Sequence, residues 1–420
     1  MTLPISMGDF SGSPEGRPAL LEGRWLGHSE GCAISAASPA DVLEGDSRKF
    51  AQFSDWLVRN AARYPAGGAI GYIAYEMAGE FERVPVNPGI QIPVFSFAYY
   101  PRIEKRAYGE VVLPCSTELK QVHILQDFDP ERWISDVQRI RDYIAAGDIY
   151  QANLTHRFAA SVEGMRPEDL YAGMAAARAP MSAFLKTPHA AIISHSPERF
   201  FRVKGNRILA SPVKGTVARS GDPADDSELQ AQLLASAKDR AENVMIVDLL
   251  RNDLGRICHY ESIQARLWEI DELPHLYHLV SHVEGELRPE SGPAQILRAL
   301  FPCGSITGAP KIRAMEILGE IENTPRGVSM GAIGIITGKP DSPQFKMDFN
   351  VAIRTITVRD DIAEFNVGGG IVYDSQPEAE FAEMILKAKP LLEALGLTAP
   401  EATSNARWET HVAPTFRSAR

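Results

Sequence analysis

Short runs of apolar residues along this chain predict buried β-strands. Strand-like segments lie at 70–75, 94–100, 121–129, 190–195, 200–203, 345–358 and 362–373. The segments 190–195 and 200–203 flank a turn at Ser196-Pro197. The last two segments flank Arg359-Asp360-Asp361, which predicts a hairpin of two long strands.

Helical spacing of apolar residues predicts three long helices. They cover 131–146, 227–253 and the segment from Pro377 to Leu395, and 221–226 is interpreted as a solvated loop before the second helix. Gly396 follows the apolar stripe of the last helix and should end it. Because strands and helices do not strictly alternate, the pattern favours an α+β architecture over a doubly wound sheet.

Composition excludes several classes of protein. The chain has 420 residues, and 54 acidic against 43 basic residues give a net charge of −11, which disfavours nucleic acid and anionic membranes as partners. The cysteines, at 32, 115, 258 and 303, show no spacing typical of zinc sites or disulfide frameworks. No apolar run approaches the roughly 18 residues of a membrane span, and the first residues lack the order of a signal peptide. We therefore expect a cytosolic protein.

The last predicted helix carries two carboxylates and a lysine on one face, Glu380, Glu383 and Lys387. One interpretation is a solvated edge with an ion pair between Glu383 and Lys387. The other is a carboxylate pair for Mg²⁺, a cation that takes one or two carboxylates together with waters and substrate oxygens. Gly368-Gly369-Gly370 precedes the helix and Arg354 lies on the strand before, so these residues could form a pocket for a carboxylate ligand.

Two further groups of polar residues are candidates for chemistry. Glu242 and Asp248 lie in a helical segment that is apolar almost all round, so both need partners; we interpret Asp248 as paired with arginine, whereas Glu242 could bind a metal. Glu198 and Lys214 could act as acid and nucleophile if they face each other in a partly dry cleft. His278 is interpreted as a core histidine or one that supports the site.

Ordered motifs from about 147 to 392 resemble the chorismate-utilising enzymes. The matching blocks are 147–154, Ser196-Pro197-Glu198-Arg199, 212–216, 242–253, 278–281, 301–311, 352–355 and 368–387. Residues 20–100 resemble, more weakly, the N-terminal region of anthranilate synthase component I. We divide the chain into this N-terminal region (19–130), a chorismate-binding catalytic region (131–398) and a flexible tail (399–420).

The resemblance implies a fold and a set of roles. The fold would be two large antiparallel β-sheets packed face to face with flanking helices. Mg²⁺ would be held by Glu242 and Glu383, with Glu380 nearby, and Lys214 would be the nucleophile beside the acid Glu198. The substrate-binding residues would be Arg354, Gly368, Gly369, Gly370, Lys387, His278, Thr216, Ser305 and Gln151.

Two positions indicate a branch of the family. By this resemblance, the family members that add water to chorismate carry a lysine base at the position of Gln151. Glutamine at this position therefore favours ammonia as the nucleophile. Lys214 resembles the aminodeoxychorismate synthases of para-aminobenzoate and folate biosynthesis, whose glutamine amidotransferase partner supplies ammonia and whose product goes to a lyase. The alternatives are anthranilate synthase component I and an inactive regulatory subunit. Ser329 stands where many relatives have Tyr.

Overall fold

The computed structural model describes residues 16–108, 122–125, 129–174, 179–272 and 276–398. Within them the strands are β1 (Ala19–Gly23), β2 (Cys32–Ala36), β3 (Asp41–Gly45), β4 (Gly68–Ile73), β5 (Phe95–Tyr100), β6 (Glu104–Ala107), β7 (His123–Ile124), β8 (Gln151–Ser161), β9 (Met181–Lys186), β10 (Ala191–Ser196), β11 (Arg199–Lys204), β12 (Arg207–Ala210), β13 (Val213–Ala218), β14 (Gln264–Glu272), β15 (Leu276–Glu286), β16 (Gly308–Ala309), β17 (Ala332–Thr337), β18 (Lys346–Val351), β19 (Thr355–Arg359) and β20 (Ile362–Ile371). The helices are α1 (Ser47–Phe50), α2 (Phe53–Arg63), α3 (Met77–Phe81), α4 (Pro130–Ala145), α5 (Pro167–Met174), α6 (Pro223–Ala235), α7 (Ala237–Gly255), α8 (Pro293–Leu300), α9 (Lys311–Ile321) and α10 (Pro377–Ala394).

The strands form two ten-stranded antiparallel sheets, as the predicted α+β fold requires. The first sheet has the order β16-β8-β20-β19-β10-β9-β1-β2-β6, with β7 paired to β8. The second has the order β13-β15-β12-β11-β18-β17-β4-β5-β3, with β14 paired to β15. Strands from 19–130 pair with later strands in both sheets, for example β1 with β9 and β4 with β17.

Alternating side chains place one apolar layer between the sheets and one on each outer face. In β1, Leu21 packs in the layer that also holds Ile70 of β4, so these side chains lie between the two sheets. Leu20 instead packs on the outer face with residues of α10, and Ile73 of β4 packs on the opposite outer face with residues of α7 and α8. The two sheets therefore pack face to face with helices on both outer sides.

The apolar stripe predicted for the last helix is confirmed by α10. Its side chains are buried against the first sheet; they are Phe381, Met384, Ile385, Ala388, Leu391, Leu392 and Leu395. Gly396 follows with a positive φ of 77°, which ends the helix as predicted. The stripe leaves one edge of α10 free to present polar side chains beside the end of β20.

The hairpin predicted for 345–358 and 362–373 is wrong in its first half. The chain forms β18 in the second sheet and then β19 in the first, so one apolar run serves two sheets. Arg354 marks this crossing with a positive φ of 49°. The apolar pattern could not show that the chain changes sheet here, because both strands are buried and have the same kind of apolar sequence.

The long helix predicted over 227–253 is two helices. The chain breaks at Ser236, whose extended backbone begins α7 and whose hydroxyl accepts a hydrogen bond from Asp239 N at 3.3 Å. The solvated loop predicted at 221–226 is also shorter than expected, because Asp222 caps α6 and Pro223 lies in its first turn.

Other predicted elements agree with the structure. The strands expected at 70–75 and 94–100 are β4 and β5, and the helix expected at 131–146 is α4. Of the segment 121–129, the described part contains the short strand β7, whereas the tail 399–420 lies outside the described residues. In the described ranges the helices are all too short or too polar to cross a membrane.

Candidate active site

Glu198 lies where the chain crosses from the first sheet to the second, between β10 and β11. The hydroxyl of Ser196 holds this crossing: it donates to Val351 O at 2.6 Å and accepts a hydrogen bond from Glu198 N at 3.2 Å. The Glu198 carboxyl group is buried, and its Oε1 has no hydrogen-bond partner among the described residues. A buried oxygen without a partner is available to a ligand.

The electrostatic surroundings of Glu198 favour its protonated form. Burial raises the pKa of Glu198 to about 7, although the charge of Lys214 and the hydroxyl of Ser305 both oppose the increase. A carboxyl group with this pKa can donate a proton near neutral pH. The structure thus brings Glu198, Lys214 and Ser305 together.

A β-bulge in β13 sets the position of Lys214. The pairing with β15 shifts register between Val213 and Thr216, and Gly215 in this bulge has a positive φ of 80°. The Lys214 Nζ lies 3.8 Å from Oε2 of Glu242, and both side chains are mostly buried. Lys214 therefore contacts the carboxylate of Glu242, and its charge also acts on the carboxyl group of Glu198.

Glu242 on α7 has the lysine partner Lys214. Asp248 does pair with Arg251, at 3.9 Å, but its side chain is 81% exposed. The expectation that Asp248 is buried was wrong, because α7 also leaves apolar side chains such as Val244 in solvent. Apolar residues on every side of α7 therefore do not mean that α7 is buried on every side.

On the opposite side, α10 presents Glu380, Glu383 and Lys387 to the end of β20. Lys387 Nζ donates to Glu383 Oε1 at 2.7 Å and to Gly368 O at 3.2 Å. Glu380 is buried and accepts a hydrogen bond from the hydroxyl of Ser375 at 2.6 Å. The ion pair between Glu383 and Lys387 that the sequence suggested is present. It lies beside the glycines of β20, which the sequence suggested as part of a pocket for a carboxylate ligand.

The two carboxylates of α10 differ in their protonation. Burial and the neighbouring charge of Glu383 raise the pKa of Glu380, although the hydrogen bond from Ser375 opposes this. Partial burial raises the pKa of Glu383, but Lys387, Lys238 and Lys214 together bring it below its ordinary value. Glu383 is therefore an ionised oxygen donor at neutral pH.

The backbone of the three glycines offers hydrogen-bond donors at the edge of β20. Asn366 N donates to the Ser329 hydroxyl at 3.0 Å and so points away from β8. Because N–H direction alternates along a strand, the N–H groups of Gly368 and Gly370 point the same way. β19 pairs with β20 only at 362–364, so no neighbouring strand in the described part of the chain uses these donors.

Gln151 lies across the sheet from these glycines. It is 1% exposed, and its Oε1 has no hydrogen-bond partner among the described residues. A Cβ on Gly370 would lie 2.3 Å from Gln151 Nε2, so a larger residue there would require this amide to move.

Arg354 and His278 are two basic groups of the site. The Arg354 side chain keeps contact with solvent, and loss of hydration lowers its pKa. In the described part of the chain no carboxylate forms an ion pair with this guanidinium, which leaves it available to an anion. His278 shares a hydrogen bond with Thr216 (Nδ1 to Oγ1, 2.8 Å), and burial lowers the pKa of His278, which favours a neutral ring.

The carboxylates can be tested as a magnesium site from their donor chemistry. Among the described residues, no three acidic, histidine or cysteine side chains lie close enough together to hold a metal directly. Mg²⁺, however, needs only one or two carboxylates and fills its other positions with water and substrate oxygens. Glu242 lies 3.8 Å from Lys214, whose charge also lowers the pKa of Glu383, so both carboxylates are oxygen donors of the kind that one divalent cation takes.

Sequence reasoning missed two side chains beside the site. Cys303 Sγ lies 3.2 Å from Ser305 Oγ, and burial raises the pKa of this thiol to about 12, so it is neutral. Lys238 lowers the pKa of both Glu380 and Glu383. The available signal for Lys238 was its position four residues before Glu242, on the same face of α7.

Ser329, where many relatives have Tyr, is hydrogen-bonded to the backbone of Asn366. It lines a surface pocket that encloses about 510 Å³ of space open to solvent, together with Arg157 and Arg359. Neither Glu198 nor Lys214 lines this pocket. The catalytic candidates therefore lie elsewhere.

The fold agrees with the comparisons with known proteins. The model of the chorismate binding enzymes matches residues 17–393, and the chain belongs to this family. Aminodeoxychorismate synthase component 1 of Escherichia coli is 36% identical over 353 residues, which cover 78% of this chain and 77% of that protein.

Two anthranilate synthases are also similar. Anthranilate synthase component 1 of Geobacillus stearothermophilus is 36% identical over 68% of this chain and 56% of its own length. The crystal structure of anthranilate synthase component I from Streptococcus pneumoniae superposes with a TM-score of 0.73, at 28% identity, over 86% of this chain and 92% of that one. The comparisons show the family and fold but leave the product open.

Proposed function

We propose that this chain converts chorismate and ammonia to 4-amino-4-deoxychorismate in a Mg²⁺-dependent reaction of para-aminobenzoate and folate biosynthesis. The observation that carries the proposal is the buried carboxyl group of Glu198, which lies close enough to Lys214 for the lysine charge to lower its pKa and is hydrogen-bonded by Ser305. A lysine amine near a carboxyl group with a pKa of about 7 can supply a nucleophile and an acid together.

One proton serves both groups. When the Lys214 ammonium passes its proton to Glu198, the amine gains a lone pair and Glu198 becomes the acid. The amine then attacks C2 of chorismate, both ring double bonds shift by one position, and the C4 hydroxyl leaves as water with the proton of Glu198. Ammonia adds at C4, both double bonds shift back, and Lys214 leaves C2 as an amine that takes up the extra proton of the new amino group.

The other residues hold the dianionic substrate. Glu242 and Glu383, with Glu380 nearby, would hold Mg²⁺, which when bound supplies positive charge for the ring carboxylate. Arg354 and the free N–H groups of Gly368 and Gly370 would bind carboxylate oxygens, and Lys387 adds positive charge. The remaining groups beside the ring are His278, Thr216, Ser305, Gln151 and Gly369.

Ammonia would come from a glutamine amidotransferase subunit, and a lyase would act on the product without needing to bind this chain. The name of the Escherichia coli relative, component 1, supports the first of these partners. Gln151, which carries no base, supports ammonia rather than water as the nucleophile.

Anthranilate synthase is the second candidate, because the relatives from Geobacillus stearothermophilus and Streptococcus pneumoniae carry that name. Incubation with chorismate, Mg²⁺ and ammonium, followed by chromatography, separates the two candidates. We expect 4-amino-4-deoxychorismate, which a lyase converts to para-aminobenzoate. Anthranilate with pyruvate would contradict the proposal and make Lys214 a bystander.

A further inference from the structure

A buried arginine outside the proposed catalytic groups joins separate segments of the chain. Arg326 follows α9, its side chain is 1% exposed, and its Nε and Nη2 bind the two oxygens of Glu322 at 2.8 and 2.7 Å. Its Nη1 donates to Ile306 O at 2.7 Å, and its Nη2 also donates to Asn153 O at 2.6 Å. The Cζ atom lies 4.4 Å from the centre of the Tyr75 ring. Four hydrogen bonds from a charged donor therefore fix this side chain.

The planar guanidinium of arginine suits this arrangement. One edge of the group binds a carboxylate, and the other N–H groups remain for separate carbonyl oxygens. Glu322 is itself held in place, because its Oε1 accepts hydrogen bonds from Thr155 N at 2.8 Å and from Thr155 Oγ1 at 3.0 Å. Arg326 is thus anchored on the side of Glu322 and can hold other segments on its remaining side.

The first segment that Arg326 holds is the 3₁₀ turn Gly304–Ile306. Ile306 directly follows Ser305, whose hydroxyl is hydrogen-bonded to the Glu198 carboxyl group. Arg326 therefore binds this turn through a backbone carbonyl that is one residue from the hydroxyl. The place of the guanidinium determines where Ser305 can present its hydroxyl to Glu198.

The second segment is the start of β8. β16 pairs with β8 at Gln151 and Ala152, and the next carbonyl along the strand, Asn153 O, is bound by Arg326 instead. Asn153 also pairs with Gly370 of β20, one of the glycines proposed to bind substrate carboxylates. The same guanidinium thus holds the strand that lies beside this part of the site.

We infer that Arg326 is a positioning residue of the active site, which sets the Ser305 hydroxyl against Glu198 and holds β8 beside Gly370. The inference rests on the proposed function for the chemistry of these groups. The four hydrogen bonds of the Arg326 side chain go to Glu322 and to two backbone carbonyls. Arg326 therefore acts through the backbone and not on the reacting atoms.

The titration of Glu198 distinguishes positioning from a purely structural role. The hydrogen bond from Ser305 lowers the pKa of Glu198, so displacement of that hydroxyl should raise this pKa further. The charge of Lys214 on β13 also lowers this pKa, and the Cys303 thiol before the turn is neutral because burial raises its pKa. An arginine that only stabilises the fold would leave the titration of Glu198 unchanged.

The test measures the pKa of Glu198 by ¹³C NMR without Mg²⁺ in Arg326→Lys. Lysine keeps the positive charge, but its single ammonium group cannot bind a carboxylate edge and two carbonyls in the same geometry. We expect the pKa to rise by about one pH unit, and Ser305→Ala should give the same shift. The variant that combines the two substitutions should shift no further than either alone. For Arg326→Lys, kcat/KM for chorismate should fall about tenfold at pH 6 and recover towards the native value at pH 9.

Arg17→Lys is the matched control. Arg17 is also buried and binds both oxygens of a glutamate, Glu44, at 2.9 and 3.0 Å, but beside β3 and β5. This variant should leave the titration of Glu198 at the native value. If urea unfolding shows that Arg326→Lys does not fold, the combination of Arg326→Gln with Glu322→Gln decides, because it removes both charges of the buried pair together. It should give the same shift.

Three results would overturn the inference. An unchanged pKa of Glu198 in a folded Arg326 variant would leave this arginine a structural role alone. Shifts of Arg326→Lys and Ser305→Ala that add in the combined variant would show that Arg326 does not act through the turn. An equal shift in Arg17→Lys would make the effect a general one. A native chain that makes no 4-amino-4-deoxychorismate would refute the proposed function instead, and the NMR titration would still decide whether Arg326 positions Ser305.

Discussion

Two glutamate–lysine pairs lie at the candidate site, and they differ in burial, in direct contact and in the pKa of the glutamate. Glu198 lies at the crossing into the second sheet, which carries Lys214; Glu198 is 7% exposed, and its pKa is raised to about 7 by burial. Glu383 and Lys387 lie on α10 against the first sheet, half exposed and joined at 2.7 Å, and the pKa of Glu383 is below its ordinary value. The same two residue types therefore provide an acid in one place and an anion in the other.

The difference follows from hydration and contact. Glu198 loses water without gaining a direct ion pair, so its charged form is disfavoured. Glu383 keeps much of its water and gains three lysines, so its charged form is favoured. Proton transfer needs the first environment, and a cation ligand needs the second.

The largest expected effect on turnover distinguishes Lys214 from Lys387. Lys214→Ala should lower 4-amino-4-deoxychorismate formation at least about 10³-fold, since the nucleophile is lost. Lys387→Ala should lower it roughly tenfold by weakening substrate binding, which would raise KM. Steady-state kinetics of both variants measure this, with the exposed Lys389→Ala as control. Normal turnover of Lys214→Ala would remove its role as nucleophile.

A second experiment separates the glutamates by magnesium affinity. Glu383→Ala should weaken Mg²⁺ binding about 10- to 100-fold, because an anionic oxygen donor is removed. Glu198→Ala should bind Mg²⁺ with nearly native affinity, although it is inactive. Calorimetric titration with chorismate present measures both. An unchanged affinity in Glu383→Ala would remove this residue from the metal.

The pH dependence sharpens the comparison. Because the mechanism needs one proton shared by Glu198 and Lys214, kcat/KM for chorismate should rise about tenfold per pH unit up to pH 7, where Glu198 loses a second proton, and level off above it when free ammonia is kept constant. A profile of kcat/KM between pH 6 and 9 measures this. Glu198→Gln should have low activity without this limb, and a limb that persists in the variant would assign it to another group.

The smallest effect concerns stability. The Glu198 carboxyl group has an ordinary pKa of 4.5 and a pKa of about 7 in the folded chain, so the folded state holds the proton more tightly between these values. Folding stability should therefore fall by roughly 3 kcal/mol as pH rises through this window. Glu198→Gln should be more stable than the native chain at pH 8 and similar at pH 4.5, as measured by urea unfolding. Equal stability of the two proteins at pH 8 would contradict the raised pKa.

Local patterns predicted much of the fold but not its sheet assignments. The stripe from Phe381 to Leu395 specified α10 because a helix buried on one side repeats its apolar positions. The run 345–358 could not reveal two strands, because the crossing depends on the backbone at Arg354 and on which sheet each edge meets. The break at Ser236 depended on a cap that a continuous helical pattern hides.

The sequence proposed residues for the candidate site but not the charges around them. Glu198 and Lys214 were identified, and burial was named as the force that would shift the pKa of the glutamate. That Lys214 also contacts Glu242, and that Lys238 acts on Glu383, depends on the packing of α7 beside β13. Long-range contacts of this kind leave no periodic signal in a sequence.

The most direct test is a titration of the two glutamates by ¹³C NMR in the absence of Mg²⁺, with resonances assigned from Glu198→Gln and Glu383→Gln. We expect the resonance of Glu198 to titrate near pH 7 and that of Glu383 below the ordinary value of 4.5. A Glu198 resonance that titrates at or below 4.5 would contradict the account, because the acid and the amine could not then share one proton near neutral pH.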